Sequence, residues 1–173
     1  DNLSFEQAAA LSFGSGAALY FLQNSNLAKG EEILIYGASG SVGTAAVQIA
    51  KYFGAEVTAV CSVGNLELVK SIGADKVIDY TKTDLADIPE KFDVVFDAVG
   101  KADIAKAIRL IKPKGRYLHA VATPFTALNI RIRLLGSNIK FVGGDSKANV
   151  KQINFIKKLA DEGFFKPVID RTY

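Results

Sequence analysis

The chain has 173 residues, of which 49% are hydrophobic and 23% are charged, and its net charge is +3. This length and balance are typical of one soluble globular domain that can bury a proper core. The small charge, carried by scattered lysines, argues against nucleic acid as a partner, and the single cysteine excludes an internal disulfide. No apolar run is long enough to cross a membrane and no signal peptide opens the sequence, so we expect a cytoplasmic protein.

The first segment of the chain is predicted to be a buried helix. Ser4 and Gln7 have the spacing of a capping box at a helix N-terminus. From there to about Asn24 the sequence is apolar on almost every side, which is typical of a helix inside a core. Gly14 and Gly16 are expected to interrupt or kink this helix.

Short apolar runs then alternate with helical patterns to the end of the chain. The runs predict six strands, at residues 33–36, 56–61, 76–79, 92–97, 116–121 and 139–142. Helices are expected between the first two strands, at 65–72, between 100 and 111 and at 150–161, with a helical turn within 81–89 and a turn at 112–115. The alternation predicts a doubly wound α/β fold, in which a parallel six-stranded sheet carries helices on both faces. Right-handed crossovers favour the Rossmann strand order 3-2-1-4-5-6.

The turn after the first strand, at residues 37–43, carries the strongest indication of function. This glycine turn reads Gly37-Ala38-Ser39-Gly40-Ser41-Val42-Gly43 and leads into an alanine-rich helix. Unpaired N–H groups and the helix dipole attract pyrophosphate to such a place. Gly40 would let the backbone approach the phosphates, and Gly43 would let the helix pack closely on the strand. Because Ala38 replaces the first glycine of G-x-G-x-x-G, a plain strand-to-helix turn is the alternative.

Several short motifs share a characteristic order and spacing along the whole chain. They are Gly30-Glu31-Glu32-Ile33-Leu34-Ile35, the glycine turn, Gln48-Ile49-Ala50-Lys51, Gly73-Ala74-Asp75, Asp97-Ala98-Val99-Gly100 and Lys166-Pro167-Val168-Ile169-Asp170. In these motifs the chain resembles the medium-chain dehydrogenase/reductase superfamily, and most nearly its zinc-independent quinone oxidoreductase-like branch. The resemblance implies that residues 1–173 are the dinucleotide-binding domain of a longer two-domain protein.

The resemblance also implies that the activity requires parts of the protein that this chain lacks. Members of the superfamily carry a β-rich catalytic domain before this region and a short segment after it that returns to that domain. Their small-molecule substrate, a quinone or an activated carbonyl or alkene, lies between the domains and receives hydride from a reduced nicotinamide. We therefore expect the catalytic residues outside this chain. A homodimer formed through the edge of the sheet, at the sixth strand, is implied as well.

The end of the second strand favours NADPH over NADH as the cofactor. Enzymes that use NAD place an acid there to hold the ribose hydroxyls, and here no acid occurs before Glu67. Ser62 and Asn65 could donate hydrogen bonds to a 2′-phosphate, and Tyr80 matches a tyrosine that the family places near that phosphate. The alternative for Ser62 and Asn65 is a helix cap.

Further candidates follow the later strands, because ligands of open α/β sheets bind at the carboxyl ends of the strands. The candidates for the nicotinamide side are Ala98, Val99, Gly100, His119, Ala120, Val121 and Gly143. Their structural alternatives are a tight turn at Gly100, a packed or solvent-facing His119, and a flexible loop from Gly143 to Asp145. No metal is expected, because a zinc site needs about four ligands and His119 and Cys61 are single copies of their kinds.

Alternatives remain for one segment and for the function. Residues 130–135 alternate apolar side chains with arginines, which fits an amphipathic strand or helix at the surface, or an apolar lid over the substrate cleft. A non-catalytic NADPH-binding sensor or scaffold with the same fold is the alternative function. A short-chain dehydrogenase is disfavoured because no tyrosine is followed by lysine four residues later, and a methyltransferase because the acid after the second strand is missing.

Overall fold

The computed structural model of the protein describes residues 4–11, 13–144, 146 and 150–169. Its strands form one six-stranded sheet in the order β3-β2-β1-β4-β5-β6, and every neighbouring pair is parallel. This confirms the predicted doubly wound fold and its strand order. The strands are β1 Glu32–Tyr36, β2 Glu56–Cys61, β3 Lys76–Asp79, β4 Phe92–Asp97, β5 Ile111–His119 and β6 Lys140–Gly143.

Helices cover both faces of the sheet. They are α1 Phe5–Leu11, α2 Phe13–Asn24, α3 Ser41–Tyr52, α4 Leu66–Ser71, α5 Ile104–Arg109, α6 Pro124–Arg133 and α7 Val150–Asp161, with 3-10 turns at Val63–Asn65 and Leu85–Asp87. The core has two parts, one that includes residues of α2, α3 and α7 and one that includes residues of α5 and α6. Along β1, Ile33 and Ile35 belong to the first part and Leu34 to the second, so a strand buried on both faces reads as a continuous apolar run.

The expectation that Gly14 and Gly16 interrupt the first helix is wrong, and a kink there stays a prediction. Both glycines lie buried inside α2, which continues through them to Asn24. A Cβ added at Gly14 would lie 2.6 Å from the carbonyl carbon of Ser41 at the start of α3. Gly14 therefore allows two helices to approach closely. Phe13 is exposed, against expectation, because the buried part of α2 begins only at Gly14.

Strand β5 begins earlier and ends earlier than predicted. Ile111 already pairs with Phe92, so α5 stops at Arg109 and the predicted turn at 112–115 is an irregular insertion within the strand. Lys114 has a φ of 66° there, as a tight turn requires. Since β5 ends at His119, Ala120 and Val121 belong to the following loop.

Residues 130–135 fall mainly in a helix, so the strand alternative for this segment is wrong. Helix α6 starts at Pro124 behind Thr123, whose hydroxyl oxygen accepts the N–H of Thr126 at 3.2 Å. Of the motif and loop residues named from the sequence, Asp145 and Asp170 lie outside the described residues. No described helix is long and apolar enough to cross a membrane.

Candidate cofactor-binding site

The glycine turn leaves the N-terminus of α3 without a side-chain cap. The N–H groups of Gly37 and Ala38 both donate to the carbonyl oxygen of Val60 at 3.0 Å, which ties the turn to β2. Gly40 is the N-cap residue, in an extended conformation, and no described side chain accepts a hydrogen bond there. The first N–H groups of a helix have no partner within the helix. Those of α3 are therefore available to an anion.

Gly40 and Gly43 differ in what surrounds them. A Cβ added at Gly43 would overlap the carbonyl oxygen of Gly37 and lie 2.7 Å from the Cα of Ala38. A Cβ at Gly40 would lie 3.5 Å from the same oxygen and 3.7 Å from Val99, which are ordinary contacts. Packing of α3 on the turn requires glycine at position 43, whereas Gly40 leaves open space beside the helix N-terminus. That combination fits a bound pyrophosphate.

The turn after β4, residues 98–102, is held by a buried carboxylate that the sequence-based site omitted. Asp97 is fully buried, and its Oδ1 accepts the N–H of Val99 at 3.1 Å and of Gly100 at 2.7 Å. Its Oδ2 accepts the N–H of Ala102 at 3.0 Å. Gly100 has a φ of 71°, so the predicted tight turn is present. An acid that ends a buried strand just before a turn can bond the backbone a few residues on, and that pattern could have identified Asp97.

The turns after β1 and β4 are in contact. A Cβ added at Gly37 would lie 2.6 Å from Cγ1 of Val99, so the valine side chain lies directly against the glycine turn. Ala98 also donates its N–H to the carbonyl oxygen of Tyr36 at 3.0 Å. Two of the predicted site segments therefore form one continuous surface at the carboxyl edge of the sheet.

Two of the later candidates, His119 and Gly143, lie beside Asp97 at the same edge. Asp97, His119 and Gly143 are consecutive partners in register across β4, β5 and β6. The N–H of Ala120 donates to the carbonyl oxygen of Asp97 at 2.9 Å. Val121 is exposed, and a Cβ added at Gly100 would overlap its side chain.

His119 is packed rather than exposed to solvent. Only 3% of its surface is accessible, its Nε2 lies 3.8 Å from Oδ2 of Asp97, and its ring packs edge-on to Tyr117. Burial lowers the pKa of His119, although the nearby Asp97 carboxylate acts in the opposite direction. Its Nδ1 has no hydrogen-bond partner among the described residues. Burial thus favours the neutral imidazole.

Ser62 and Asn65 bond to each other. Nδ2 of Asn65 donates to Oγ of Ser62 at 3.0 Å, and neither side chain caps the helical turn that it precedes. The capping alternative for this pair is therefore wrong. Tyr80 follows β3, donates its N–H to the carbonyl oxygen of Cys61 at 3.2 Å, and packs its ring 6.2 Å from that of Tyr36.

Cys61 is a buried residue at the end of β2. Burial, with a smaller contribution from Asp79, raises the pKa of its thiol. Within the part of the chain that the structure describes, no three His, Cys, Asp or Glu side chains lie close enough together to hold a metal ion.

A groove of about 470 Å³ adjoins the glycine turn on the side of α3 and α4. Ser39, Ser41 and Asn65 line it, together with Phe165 and Pro167 from the C-terminal segment. The groove brings the start of α3 and the turn after β2 to one surface. Both places were predicted to bind the cofactor.

Comparison with known proteins identifies the family. Residues 41–144, more than half of the chain, match the family model described as zinc-binding dehydrogenase. The chain belongs to this family. It is a nucleotide-binding domain of the medium-chain dehydrogenase/reductase superfamily, as its motifs and its sheet order indicate.

Similar proteins match this domain over part of their own length. The chain is 39% identical to 2-methylene-furan-3-one reductase of Solanum lycopersicum. The match covers 98% of this chain and 40% of that protein. The chain is 36% identical to the chloroplastic NADPH-dependent alkenal/one oxidoreductase of Arabidopsis thaliana, again over 98% of itself and 40% of that protein. The quinone oxidoreductase structure from Coxiella burnetii superposes with a TM-score of 0.88 at 29% identity, over 98% of this chain and 53% of that one. The chain thus spans about two fifths of the curated relatives it matches.

Proposed function

We propose that this chain is the cofactor-binding domain of an NADPH-dependent oxidoreductase that reduces a quinone or an activated carbonyl or alkene. The observation that carries the proposal is the uncapped N-terminus of α3, with open space beside Gly40. The family supports a nicotinamide cofactor, and relatives named as alkenal, furanone and quinone oxidoreductases support the substrate class.

The residues of the glycine turn would hold the pyrophosphate through backbone N–H groups of Ser39, Ser41, Val42 and Gly43. Ala38 is fully buried and anchors the turn in the core. Because the glycine turn directs the helix dipole at the phosphates, binding there fixes the register of the whole dinucleotide across the sheet edge.

The two halves of the dinucleotide would lie on opposite sides of the glycine turn. Ser62, Asn65 and Tyr80 follow β2 and β3 and would bind the adenosine ribose with its 2′-phosphate. The turn after β4 and residues 119–121, with Gly143, would form the wall on the nicotinamide side. When bound, the reduced nicotinamide supplies the hydride.

This chain would position the cofactor, and the rest of a longer protein would position the substrate. We place the catalytic residues and the far wall of the substrate cleft in that remainder, and we propose zinc-independent chemistry from the resemblance to quinone oxidoreductase-like proteins. The cytoplasmic location stays a prediction, since one relative with this domain is named as chloroplastic.

Calorimetric titration with NADPH tests the proposal. Gly40→Val adds a side chain at a position where a Cβ meets only ordinary contacts, so the variant is expected to fold. The added side chain occupies the space at the helix N-terminus, and we expect NADPH to bind at least about 10-fold more weakly.

Ala28→Val is the matched control. Ala28 is exposed and precedes β1, at the opposite edge of the sheet from the glycine turn. Its NADPH affinity should equal that of the parent chain. An unchanged affinity in a folded Gly40→Val protein would show that the site is wrong.

A further inference from the structure

We infer that Asp97 is a positioning residue that fixes three loops of the cofactor site relative to one another. The inference rests on the proposed function and assigns a role within the same site. Asp97 itself would not touch the cofactor, because it is fully buried beneath the turn that it holds.

The carboxylate of Asp97 organises the turn at residues 98–102 directly. Its two oxygens accept three backbone N–H groups, from Val99 at 3.1 Å, Gly100 at 2.7 Å and Ala102 at 3.0 Å. A buried carboxylate is costly unless hydrogen bonds satisfy it, and bonds to a charged acceptor are stronger than neutral ones. The burial and the three bonds therefore specify one conformation of this turn.

The turn held by Asp97 transmits its position to the glycine turn. Val99 lies against Gly37, where an added Cβ would be 2.6 Å from its Cγ1. Val99 also faces Gly40, at a distance of 3.7 Å from an added Cβ. A shift of the turn after β4 would therefore change the space beside the N-terminus of α3.

Asp97 is also joined to the loop after β5. Its carbonyl oxygen accepts the N–H of Ala120 at 2.9 Å, and its Oδ2 lies 3.8 Å from Nε2 of His119. The ring of His119 in turn lies next to Gly100, where an added Cβ would be 3.2 Å from Cε1. One buried side chain is thus linked to the loops after β1, β4 and β5.

The strand order determines which half of the dinucleotide depends on Asp97. The sheet places β2 on one side of β1 and β4 on the other. The adenosine half lies over β2 in this class of fold, so the loops after β4 and β5 contact the half beyond the pyrophosphate. Asp97 should therefore affect binding of the complete dinucleotide and leave unchanged the binding of its adenosine 2′-phosphate end, which does not reach the N-terminus of α3.

Two ligands and two variants separate these effects. Asp97→Asn retains one acceptor oxygen but turns an NH₂ group toward a backbone N–H of the turn. We expect NADPH to bind roughly 10-fold more weakly to it, and adenosine 2′-monophosphate, which has no phosphate at the N-terminus of α3, to bind as to the parent chain. Ser62→Ala is the matched variant on the adenosine side, and it should weaken both ligands by similar factors.

Hydrogen exchange of the ligand-free protein provides an independent measurement. In Asp97→Asn the amides of Val99, Gly100 and Ala102 should exchange faster, while those of β1 and α3 keep their protection. Unchanged exchange at these three amides would overturn the inference. Unchanged NADPH affinity, or an equal loss for both ligands, would overturn it too.

The same experiments distinguish this inference from the proposed function. If the parent chain binds neither ligand, the proposed function fails. The exchange measurement then still decides whether Asp97 holds the turn, since it needs no cofactor.

Discussion

The backbone of Gly43 lies against that of Gly37 so closely that no side chain fits between them. A methyl group on Gly43 would overlap the carbonyl oxygen of Gly37 and lie 2.7 Å from the Cα of Ala38. Backbone atoms in a turn anchored to β2 cannot move aside as a flexible side chain would. The contact explains why α3 begins directly behind the strand, and why the fold itself requires glycine at position 43.

We expect Gly43→Ala to destabilise the protein, because overpacking against a fixed backbone costs about 2–3 kcal/mol. Alanine offsets roughly 1 kcal/mol of this through its higher helix propensity. Gly40→Ala is the matched variant and should change stability by less than about 1 kcal/mol. Urea denaturation measures both. Equal stability of the two variants would contradict the packing role of Gly43.

Asp93 is expected to make stability depend on pH. Burial raises the pKa of its carboxyl, but hydrogen bonds from the Glu32 N–H and the Lys112 ammonium, both at 2.9 Å, outweigh burial and lower the pKa. A lowered folded-state pKa contributes stability above the ordinary Asp value of about 3.9, and that stability is lost as pH falls through the folded pKa. Asp93→Asn should therefore cost about 1 kcal/mol at neutral pH and progressively less in acid.

Urea denaturation of the parent chain and Asp93→Asn, from neutral pH into acid, measures this difference. The exposed Asp87→Asn serves as the control and should follow the parent at every pH. A difference between Asp93→Asn and the parent that grows in acid would have the wrong sign for this account.

The absence of an acid after β2 predicts tighter binding of NADPH than of NADH. The neutral groups of Ser62 and Asn65 can donate hydrogen bonds to a 2′-phosphate, and no carboxylate of that turn repels it. The preference should shrink with added salt, since the Debye length falls from about 30 Å at about 0.01 M to about 10 Å at about 0.1 M. Titration of both cofactors in the same buffers tests this. Tighter binding of NADH would refute the assignment of Ser62 and Tyr80.

We expect the chain by itself to bind cofactor without turning it over. Orientation of two reactants supplies roughly 7–11 kcal/mol of a barrier, and this chain would provide only one wall of the cleft. Mixing NADPH with a simple quinone and following the NADPH absorbance should show no steady oxidation. Steady oxidation that Gly40→Val abolishes would place catalytic residues within this chain.

A dimer through β6 remains a prediction. This strand pairs with β5 on one side, and no described strand pairs with its other side. Such an edge presents unpaired backbone groups that a second copy can bond. Light scattering at high protein concentration should give twice the mass of one chain. A monomeric mass would remove the edge-pairing proposal and leave the cofactor site unaffected.

Much of the fold could be predicted because its determinants are local. Strands β2, β3 and β4 and helix α7 have the predicted bounds, since apolar runs or amphipathic periods mark them. The start of β5 could not be predicted, because Ile111 joins the sheet only through its pairing with Phe92. The pattern at residues 130–135 does not by itself separate a strand from a helix, although Thr123 followed by Pro124 is a recognisable helix start.

The candidate site also has features that the sequence predicts and features that only the structure shows. The glycine turn is recognisable because its residues are adjacent in the sequence. The buried position of His119 and the contact of Val99 with Gly37 depend on which strands are neighbours, so they required the structure. The role of Gly14 depends on Ser41, a residue of another helix, and the sequence alone suggested a helix break instead.

Helix α3 also contacts segments near both ends of the described chain. Gly14 of α2 lies against Ser41 at its start. Farther along, the buried Gln48 accepts the N–H of Lys166 at 2.7 Å and donates to the carbonyl oxygen of the same residue at 3.0 Å. A displacement of either segment would therefore be felt at α3, the helix whose N-terminus forms the candidate cofactor site.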